Sequence, residues 1–301
     1  MPTREEIGCR GTISPKQWHD STLNQKPDRL KLHPTTYLRG SDMTNGDCVK
    51  VSQNGPLAIL SMEFAPHNLL GADLMAGIEA GLNAALEMGA RAVLLKSGLR
   101  HFSAGADISL FEDAMGPAGK PAVSPLAFLQ TLEGFPLPVI AAVHGVCVGG
   151  GLEIALACDL IIASRSSKIG SVEATIGLNP LMGAIQRQVQ RAGIVRAKEM
   201  AMLGRRYDAE TMERWNIINR VVDDDKLEAA ALSLALEVAN GPTLAHRITK
   251  ELANIAAQDG VAAADAVMED KQLALWSSED LRTGIDSLMS QGPGLANFAG
   301  K

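Results

Sequence analysis

The 301-residue sequence lacks any long apolar segment. A membrane-spanning helix needs about 20 largely apolar residues, and no stretch of the chain approaches that length. The segment Met1–Trp18 also lacks the short apolar region that a secretory signal peptide carries. We therefore expect neither a membrane span nor a secretory signal, and we expect a cytoplasmic protein.

Cysteine is scarce, and no C-x-x-C spacing occurs among the four residues Cys9, Cys48, Cys147 and Cys158. Two of them lie inside apolar runs, which favours buried, reduced thiols over disulfides. The six histidines are scattered and no H-E-x-x-H motif occurs, so we expect no metal site. The formal net charge of −6 provides no basic field for a nucleic-acid partner.

Three common ligand-binding motifs are also missing. No G-x-G-x-x-G occurs, and the run Gly149–Gly151 is too compact for a dinucleotide site. The breaker-rich segment Gly116–Lys120 lacks the first glycine and the Ser or Thr of a phosphate-binding P-loop. No G-x-S-x-G nucleophile elbow is present either, which argues against a serine hydrolase of that type.

What the chain does contain is an ordinary globular composition, with 46% hydrophobic and 21% charged residues. Residues 1–46 are polar and show no regular apolar period, so we predict a disordered or loosely docked N-terminal extension. Residues 47–200 alternate short apolar strands with helices, which is typical of a layered α/β core. Residues 201–301 have an almost purely helical pattern.

The predicted elements follow from this periodicity. Strands are predicted at Leu57–Met62, Ala92–Leu95, Val139–Val143, Leu160–Ala163 and, as a short one, Ile218–Val222. Helices are predicted at Leu74–Leu86, Leu126–Leu132, Cys147–Ala157, Val195–Leu203, Ala209–Trp215, Leu227–Ala239, Thr243–Ala257, Ala262–Trp276 and Ser278–Ser290.

Two segments that directly follow predicted strands carry the candidate chemistry. His101–Ile108 comes after the second strand, and His144–Glu153 comes after the third and opens a helix. Ligands of α/β sheets usually bind where strands end. Both segments contain small residues that let a ligand approach main-chain N–H groups, and a glycine-led helix start adds unpaired donors. Amides that converge from two loops can form an oxyanion hole.

Two glutamates complete this candidate site. Glu153 lies three residues beyond Gly150, on the same face of the predicted helix. Glu173 follows a turn of small residues in an otherwise apolar stretch. Two acids in an apolar pocket can divide general acid and base roles, because burial and mutual repulsion separate their pKa values. A structural interpretation also fits each feature alone, with Gly149–Gly151 as a packing turn and Glu153 as a helix-start acid.

Taken together, these segments resemble the enoyl-CoA hydratase/isomerase (crotonase) superfamily from about Val49 to Lys301. Its members carry an A-G-A-D-type loop, then G-x-x-x-G-G-G-x-E, then a second glutamate further along the chain. Here these are Ala104–Asp107, Gly145–Glu153 and Glu173. The resemblance implies an α/β fold built as a spiral of repeated β-β-α turns, with a helical C-terminal oligomerisation region.

The resemblance also implies a role for each residue. The amides of Ala106 and Gly150 would hold the thioester oxygen of an acyl-CoA and stabilise the enolate. Glu153 and Glu173 would orient and deprotonate water for addition at C3 and deliver a proton to C2. The substrate-binding residues that the resemblance implies are Ala104, Ala106, Asp107, Ile108 and Gly150.

The leading hypothesis is therefore a hydratase that adds water across the 2,3 double bond of a 2-enoyl-CoA thioester, without a metal or organic cofactor. The alternatives are an enoyl-CoA isomerase or another acyl-CoA reaction of the same superfamily, and a non-catalytic acyl-CoA-binding protein. The presence of both acids favours the enzyme. Apolar helix faces in the last third, such as Leu227, Ala231, Leu234 and Val238, together with the resemblance, predict a homotrimer or a dimer of trimers.

The chain departs from the family pattern after the second glutamate. Hydratases usually run G-x-x-P-G-A-G-G-T-Q-R there, whereas Gly177–Arg187 has Leu181 in place of a glycine and adds the bulk of Met182. The departure predicts altered water positioning or substrate size. At the C-terminus, Gln291–Gly294 stands where a basic run often contacts CoA phosphates.

Overall fold

A computed structural model describes residues 48–117, 119 and 123–301 of the chain. The predicted N-terminal extension at residues 1–46 lies outside the described residues, as does part of the predicted loop at Gly116–Lys120. The strands of the described chain are β1 (Val49–Asn54), β2 (Leu57–Met62), β3 (Ala92–Ser97), β4 (Val139–Val143), β5 (Val146–Val148), β6 (Leu160–Ser164), β7 (Lys168–Gly170), β8 (Tyr207–Asp208) and β9 (Arg220–Val222).

Helices alternate with the strands at first and then follow one another. They are α1 (Ala72–Glu87), α2 (Ile108–Met115), α3 (Pro125–Glu133), α4 (Gly150–Ala157), α5 (Ala184–Leu203), α6 (Ala209–Arg214), α7 (Leu227–Asn240), α8 (Thr243–Asp259), α9 (Val261–Trp276) and α10 (Glu279–Ser290). Two 3₁₀ turns lie at Glu173–Ile176 and Asp224–Lys226.

A six-stranded sheet in the order β1-β2-β3-β4-β6-β9 forms the centre of the fold. β1 pairs antiparallel with β2, and all later pairs are parallel. In register, Leu60 lies opposite Leu95, and Leu95 lies opposite Ala141. All five residues of β4 are buried, because helices cover both faces of a parallel sheet. This burial explains the continuous apolar runs from which these strands were predicted.

Each face of the sheet has its own apolar core. The larger core joins one face to α1, α3 and α4, with Leu74, Leu129 and Leu152 among its fully buried side chains. On the other face, α7 lays Leu227, Ala231, Ala235 and Ala239 against the strands. The alanines let this helix approach the sheet closely. The helix face on which oligomer contacts were expected therefore packs on this core, with Leu227 and Ala231 buried and Leu234 and Val238 partly buried against it.

A second, three-stranded sheet in the order β5-β7-β8 leads into the candidate site. β5 pairs parallel with β7, with Cys147 opposite Ile169. The segment Cys147–Ala157 was predicted as glycine-led and then helical, and the helix begins at Gly150, whereas Cys147 and Val148 lie in β5, which was not predicted. A three-residue strand is too short to produce a recognisable alternation of apolar and polar residues.

The long helix α5 was only half predicted. It joins two helical segments at Gly193, whose φ of +79° and ψ of +162° interrupt the helix, and the prediction contained only the second segment. The first segment was missed because its polar residues, including Gln186 and Arg187, show no apolar period. Helix α2 and strands β1, β5, β7 and β8 were also missed.

The final helices agree with prediction to within two residues at each end. The chain then returns to the core, since Asp280 on α10 accepts hydrogen bonds from the Ala299 and Gly300 amides at 2.8 and 3.1 Å. Arg91 donates to the Phe298 carbonyl at 2.8 Å. No helix in the described ranges is long and apolar enough to cross a bilayer. Cys48, Cys147 and Cys158 are buried, and Cys9 lies outside the described residues.

Candidate active site

The segment after β3 leaves one backbone donor available for a ligand. Ser103 N–H donates to the Val146 carbonyl, Ala104 N–H to the His67 carbonyl and Asp107 N–H to the Leu70 carbonyl, at 2.8 to 3.1 Å. Gly105 N–H reaches the Ser103 hydroxyl at 3.3 Å. Within the described ranges, only the N–H of Ala106 has no acceptor among residues 103–107.

The start of α4 supplies a second available donor beside the first. Gly149, with a φ of +53°, donates to the Gly170 carbonyl at 3.0 Å, and the Glu153 N–H returns to the Gly149 carbonyl at 3.0 Å. The Gly150 N–H, at the first helical position, has no acceptor within the helix. A Cβ placed on Gly150 would lie 3.6 Å from the Ala106 nitrogen, so the two backbone segments are in contact.

The third glycine of the run sets this approach. A Cβ on Gly151 would lie 2.6 Å from the Ser103 Cβ and 2.8 Å from the Ser103 carbonyl oxygen. Only a residue without a side chain lets the loop after β3 pack on the first turn of α4. The glycine run is thus a packing turn, as the structural interpretation held, and this packing also places the Gly150 and Ala106 backbones side by side.

Glu153 is held inside the protein by backbone amides. Its side chain is only 2% exposed, and its Oε1 accepts hydrogen bonds from the Met182 and Ala184 N–H groups at 2.7 and 3.1 Å. The pKa of Glu153 is raised to about 7, chiefly by burial and in smaller part by the charge of Glu173, while the two amides and Arg187 act in the opposite direction. A helix-start acid that only balanced the helix dipole would face solvent, so Glu153 belongs to an internal site.

Glu173 begins the 3₁₀ turn and is 9% exposed. Its Oε2 is buried and has no hydrogen-bond partner in the described part of the chain. Its Oε1 faces the glycine run, since a Cβ on Gly149 would lie 3.4 Å from that oxygen. Burial raises the pKa of Glu173. The structure therefore brings both predicted acids to the start of α4.

The other predicted residues lie around this centre. Ala104 and Asp107 use their N–H groups within the fold, and the Asp107 carboxylate accepts from Ser109 N–H at 2.8 Å. Ile108 is the first residue of α2 and is 59% exposed. Of the two bulky replacements, Leu181 is 49% exposed whereas Met182 is 2% exposed. Leu181 therefore adds its bulk at the surface, and Met182 adds its bulk to the core.

Two positioning features were not foreseen from the sequence. Asn68 is fully buried, and its side-chain amide donates to the Ser97 hydroxyl at 2.8 Å and the Phe102 carbonyl at 3.1 Å. Ser103 in turn donates its hydroxyl hydrogen to the Asn68 carbonyl at 2.6 Å, which fixes the start of the loop. A lone asparagine carries no sequence signal for such a role, because all of its partners are distant in the chain.

The second unforeseen feature is an ion pair beneath Glu153. Arg187 on α5 donates through Nε and Nη2 to the two carboxylate oxygens of Glu133 on α3, at 2.9 and 2.5 Å. The only signal for it in the sequence is an arginine four residues after Gly183. No group of three or more His, Cys, Asp or Glu side chains that could hold a metal occurs in the ranges that the structure describes.

Comparison with known proteins identifies the family. The family model of enoyl-CoA hydratase/isomerase matches residues 54–293. A probable enoyl-CoA hydratase from Rhizobium meliloti (strain 1021) is 31% identical over 251 residues, which cover 82% of this chain and 93% of the relative. A carnitinyl-CoA dehydratase from Salmonella typhi is 32% identical over 208 residues, 68% of this chain and 80% of the relative.

Among solved structures, an enoyl-CoA hydratase subunit I from Geobacillus kaustophilus HTA426 superimposes with a TM-score of 0.79 and 30% identity. The match covers 86% of this chain and all of that one. The order of strands and helices, the glycine run at the start of α4 and the family match thus point to one fold and one lineage. The chain belongs to the enoyl-CoA hydratase/isomerase family and has the crotonase fold.

Proposed function

We propose that the protein is an enoyl-CoA hydratase, which adds water across the 2,3 double bond of a 2-enoyl-CoA thioester. One observation carries this proposal: two buried acids, Glu153 and Glu173, lie at the same helix start as two available backbone N–H groups. Addition of water requires both parts. The amides stabilise the negative charge that forms on the thioester oxygen, and the acids move the protons.

The amides of Ala106 and Gly150 form the oxyanion hole in this proposal. The neighbouring N–H groups of Ala104, Asp107 and Gly149 are engaged within the fold, whereas those of Ala106 and Gly150 have no acceptor in the described chain and lie side by side. Backbone donors need no reorganisation as charge develops, and removing one such donor typically costs about 10²–10³ in rate. Ala104 is then limited to contributing its carbonyl group to the acyl-CoA path, beside Asp107 and the exposed Ile108.

The two acids divide the proton transfers because their environments differ. Two amides stabilise the ionised form of Glu153, so its carboxylate serves as the base that orients and deprotonates water for attack at C3. Within the described part of the chain Glu173 has no such donors on Oε2, and we assign it the delivery of a proton to C2. Burial raises the pKa of both acids, so the assignment rests on their hydrogen bonds and positions. The proton that Glu153 takes from water replaces the one that Glu173 gives to C2, so the net reaction is the addition of one water. A proton then passes from Glu153 to Glu173, directly or through solvent, and restores both acids for the next turnover.

Names of the relatives support a water-addition chemistry. One is called a probable enoyl-CoA hydratase and another a carnitinyl-CoA dehydratase, and loss of water is the reverse of its addition. An isomerase, which moves a double bond, needs chiefly the acid at the Glu173 position. The Glu153 carboxyl group, held by two backbone amides, is the feature that favours hydration over isomerisation.

The test is the loss of the enoyl-thioester ultraviolet absorbance when the protein is mixed with crotonyl-CoA. We expect turnover with crotonyl-CoA, none of comparable rate with a 3-enoyl-CoA, and no change after exhaustive dialysis against EDTA, because the proposed chemistry uses no metal. Isomerisation of the 3-enoyl-CoA without hydration would replace this proposal with an isomerase. Tight binding of crotonyl-CoA with no turnover by either assay would indicate a non-catalytic acyl-CoA-binding protein.

We also propose that copies of this chain assemble as a trimer or a dimer of trimers. Large apolar side chains remain exposed on α9 and α10, among them Leu273, Trp276, Ile285, Leu288 and Met289. Exposed apolar surface of this extent on neighbouring helices is unusual for a monomer. Light scattering at micromolar concentration tests the assembly, and a monodisperse monomer would contradict it.

A further inference from the structure

The two amides that hold Glu153 lie on either side of one glycine. Met182 and Ala184 donate to the same Glu153 oxygen, and Gly183 lies between them with a φ of +105°. A residue with a side chain rarely adopts this backbone conformation. The orientation of the turn at Gly183 therefore sets the position of the Glu153 carboxyl group.

Arg187 is the side chain that holds this turn. Its Nη1 donates to the Gly183 carbonyl at 3.2 Å, and a Cβ on Gly183 would lie only 2.4 Å from that nitrogen. The rest of the guanidinium is fixed by the paired bonds to Glu133. A planar fork that binds a carboxylate on one side and a carbonyl on the other has a single orientation.

We propose that Arg187, oriented by Glu133, is a positioning residue that fixes the Gly183 turn and thereby the site and charge of the Glu153 carboxyl group. Its catalytic consequence rests on the function proposed above, whereas its effect on Glu153 does not. The positive charge of Arg187 lowers the pKa of Glu153, in opposition to burial. Glu133 neutralises part of that charge, so the ion pair sets how strongly Glu153 is held ionised.

The other charged groups around Glu153 are few. Glu173 faces it from the 3₁₀ turn and raises its pKa. Arg191, one turn further along α5, donates to the carbonyls of Leu156, Cys158 and Ile217 rather than to a carboxylate. Arg187 is thus the cation that acts on Glu153 from α5, and Glu133 on α3 is the carboxylate that pairs with Arg187.

The two members of the pair predict opposite shifts, which separates this role from a structural one. Arg187→Met removes the positive charge and should raise the pKa of Glu153 by about one unit, whereas Glu133→Gln leaves Arg187 less neutralised and should lower it. Arg187→Lys keeps the charge and should bring the pKa back toward the wild-type value. Lys250→Met is the matched control, because it removes a buried ion pair with Asp159, at 2.9 Å, that does not contact the turn.

The pKa is measured twice for each variant. The first measurement is the infrared pH titration of the carboxyl band that disappears in Glu153→Gln, and the second is the pH profile of kcat/KM for crotonyl-CoA. We expect the variants to rank in the same order of pKa in both measurements. The kcat of Arg187→Met should fall by about tenfold to a hundredfold, while its KM stays nearly unchanged. Lys250→Met should lower the melting temperature and leave the titration unmoved.

The inference would be overturned if the pKa of Glu153 shifted in the same direction in Arg187→Met and Glu133→Gln. It would also be overturned if neither variant differed from Lys250→Met in that pKa. A wild-type protein that shows no hydration but gives opposite infrared shifts would support the inference and contradict the proposed function. The two failures are therefore distinguishable.

Discussion

Glu153 and Glu173 are two buried acids at one site whose hydrogen bonds differ. Glu153 lies in the first turn of α4 and is held by two amides, whereas Glu173 begins a 3₁₀ turn and has a buried oxygen without a partner. Burial raises both pKa values. At Glu153 the amides of Met182 and Ala184 oppose that effect, whereas at Glu173 only its own backbone amide does so.

The difference shows how one residue type can serve two purposes in a single cavity. Donors directed at a carboxylate favour its ionised form, and their absence favours the protonated one. The chain achieves this by placing Glu153 opposite the turn at Gly183 and Glu173 opposite the glycine run. The most direct tests of this contrast change one of the two acids, or one part of its surroundings, at a time.

The largest effect is expected from removing either acid. Glu153→Gln and Glu173→Gln should each reduce kcat for crotonyl-CoA hydration by about 10²–10⁴, because each loses a proton transfer while the amides stay in place. The double variant should be little slower than the worse single one, since both acids act on one addition. Steady-state kinetics measure this.

The control for these variants is Glu237→Gln, an exposed acid on α7 that should leave the rate unchanged. Near-normal hydration by Glu153→Gln, with Glu173→Gln inactive, would contradict the proposed division of roles. Isomerisation of a 3-enoyl-CoA that persists in Glu153→Gln and is lost in Glu173→Gln would support an isomerase. A lower melting temperature of Glu153→Gln with an unchanged hydration rate would mean that Glu153 has only a structural role.

The next effect is on stability as a function of pH. The pKa of Glu153 is about 7 in the folded protein against 4.5 for an ordinary glutamate, so folding favours its protonated form. That contribution is fully present below pH 4.5 and is lost as the pH rises through about 7. Relative to Glu153→Gln, the wild type should lose up to about 3 kcal/mol of unfolding free energy across this window.

Denaturant melts at several pH values measure this difference. Glu173 is present in both proteins, so its contribution cancels in the comparison except for its coupling to the Glu153 charge. If the unfolding free energy of the wild type relative to Glu153→Gln rises rather than falls with increasing pH, the two amides outweigh burial in setting the pKa of Glu153.

A smaller effect is expected from the packing between the two loops. Gly151→Ala should destabilise the protein by roughly 1–3 kcal/mol, because its Cβ would clash with Ser103. It should also slow hydration, because Ser103 and Ala106 lie in the same loop. Gly284→Ala is the matched helical control, where the nearest atom lies at 3.5 Å. It should be neutral or stabilising by up to about 1 kcal/mol. Equal melting temperatures for the two variants would show that the loops can move apart freely.

The smallest effect concerns the departure from the family pattern. Leu181→Gly should change crotonyl-CoA hydration by less than about threefold and lower stability by under about 1 kcal/mol, because this side chain is half exposed and the amides that hold Glu153 belong to its neighbours. A panel of longer acyl chains measures whether Leu181 affects substrate size. A large rate increase with crotonyl-CoA would mean that Leu181 obstructs the site.

Strands of the main sheet were predicted well where burial on both faces leaves a continuous apolar run, as in β4 and β6. Strands β5, β7 and β8 were not, because two or three residues carry no period. The first half of α5 was missed for a related reason. Its polar residues, among them Arg187 and Gln188, are buried by partners distant in sequence.

The sequence by itself determined the spacing of the glycine run and the first acid, since one helical turn must carry Glu153 three residues beyond Gly150. It also determined the family, which rests on that spacing together with the A-G-A-D loop and Glu173. Only the tertiary structure decided which N–H groups are available, because the donors at Ala104, Asp107 and Gly149 are occupied by carbonyls from other segments. It likewise decided that Met182 and Ala184 hold Glu153 and that Arg187 holds their turn. Hydrogen bonds between residues far apart in the chain follow from the packing of whole elements, which no local pattern records.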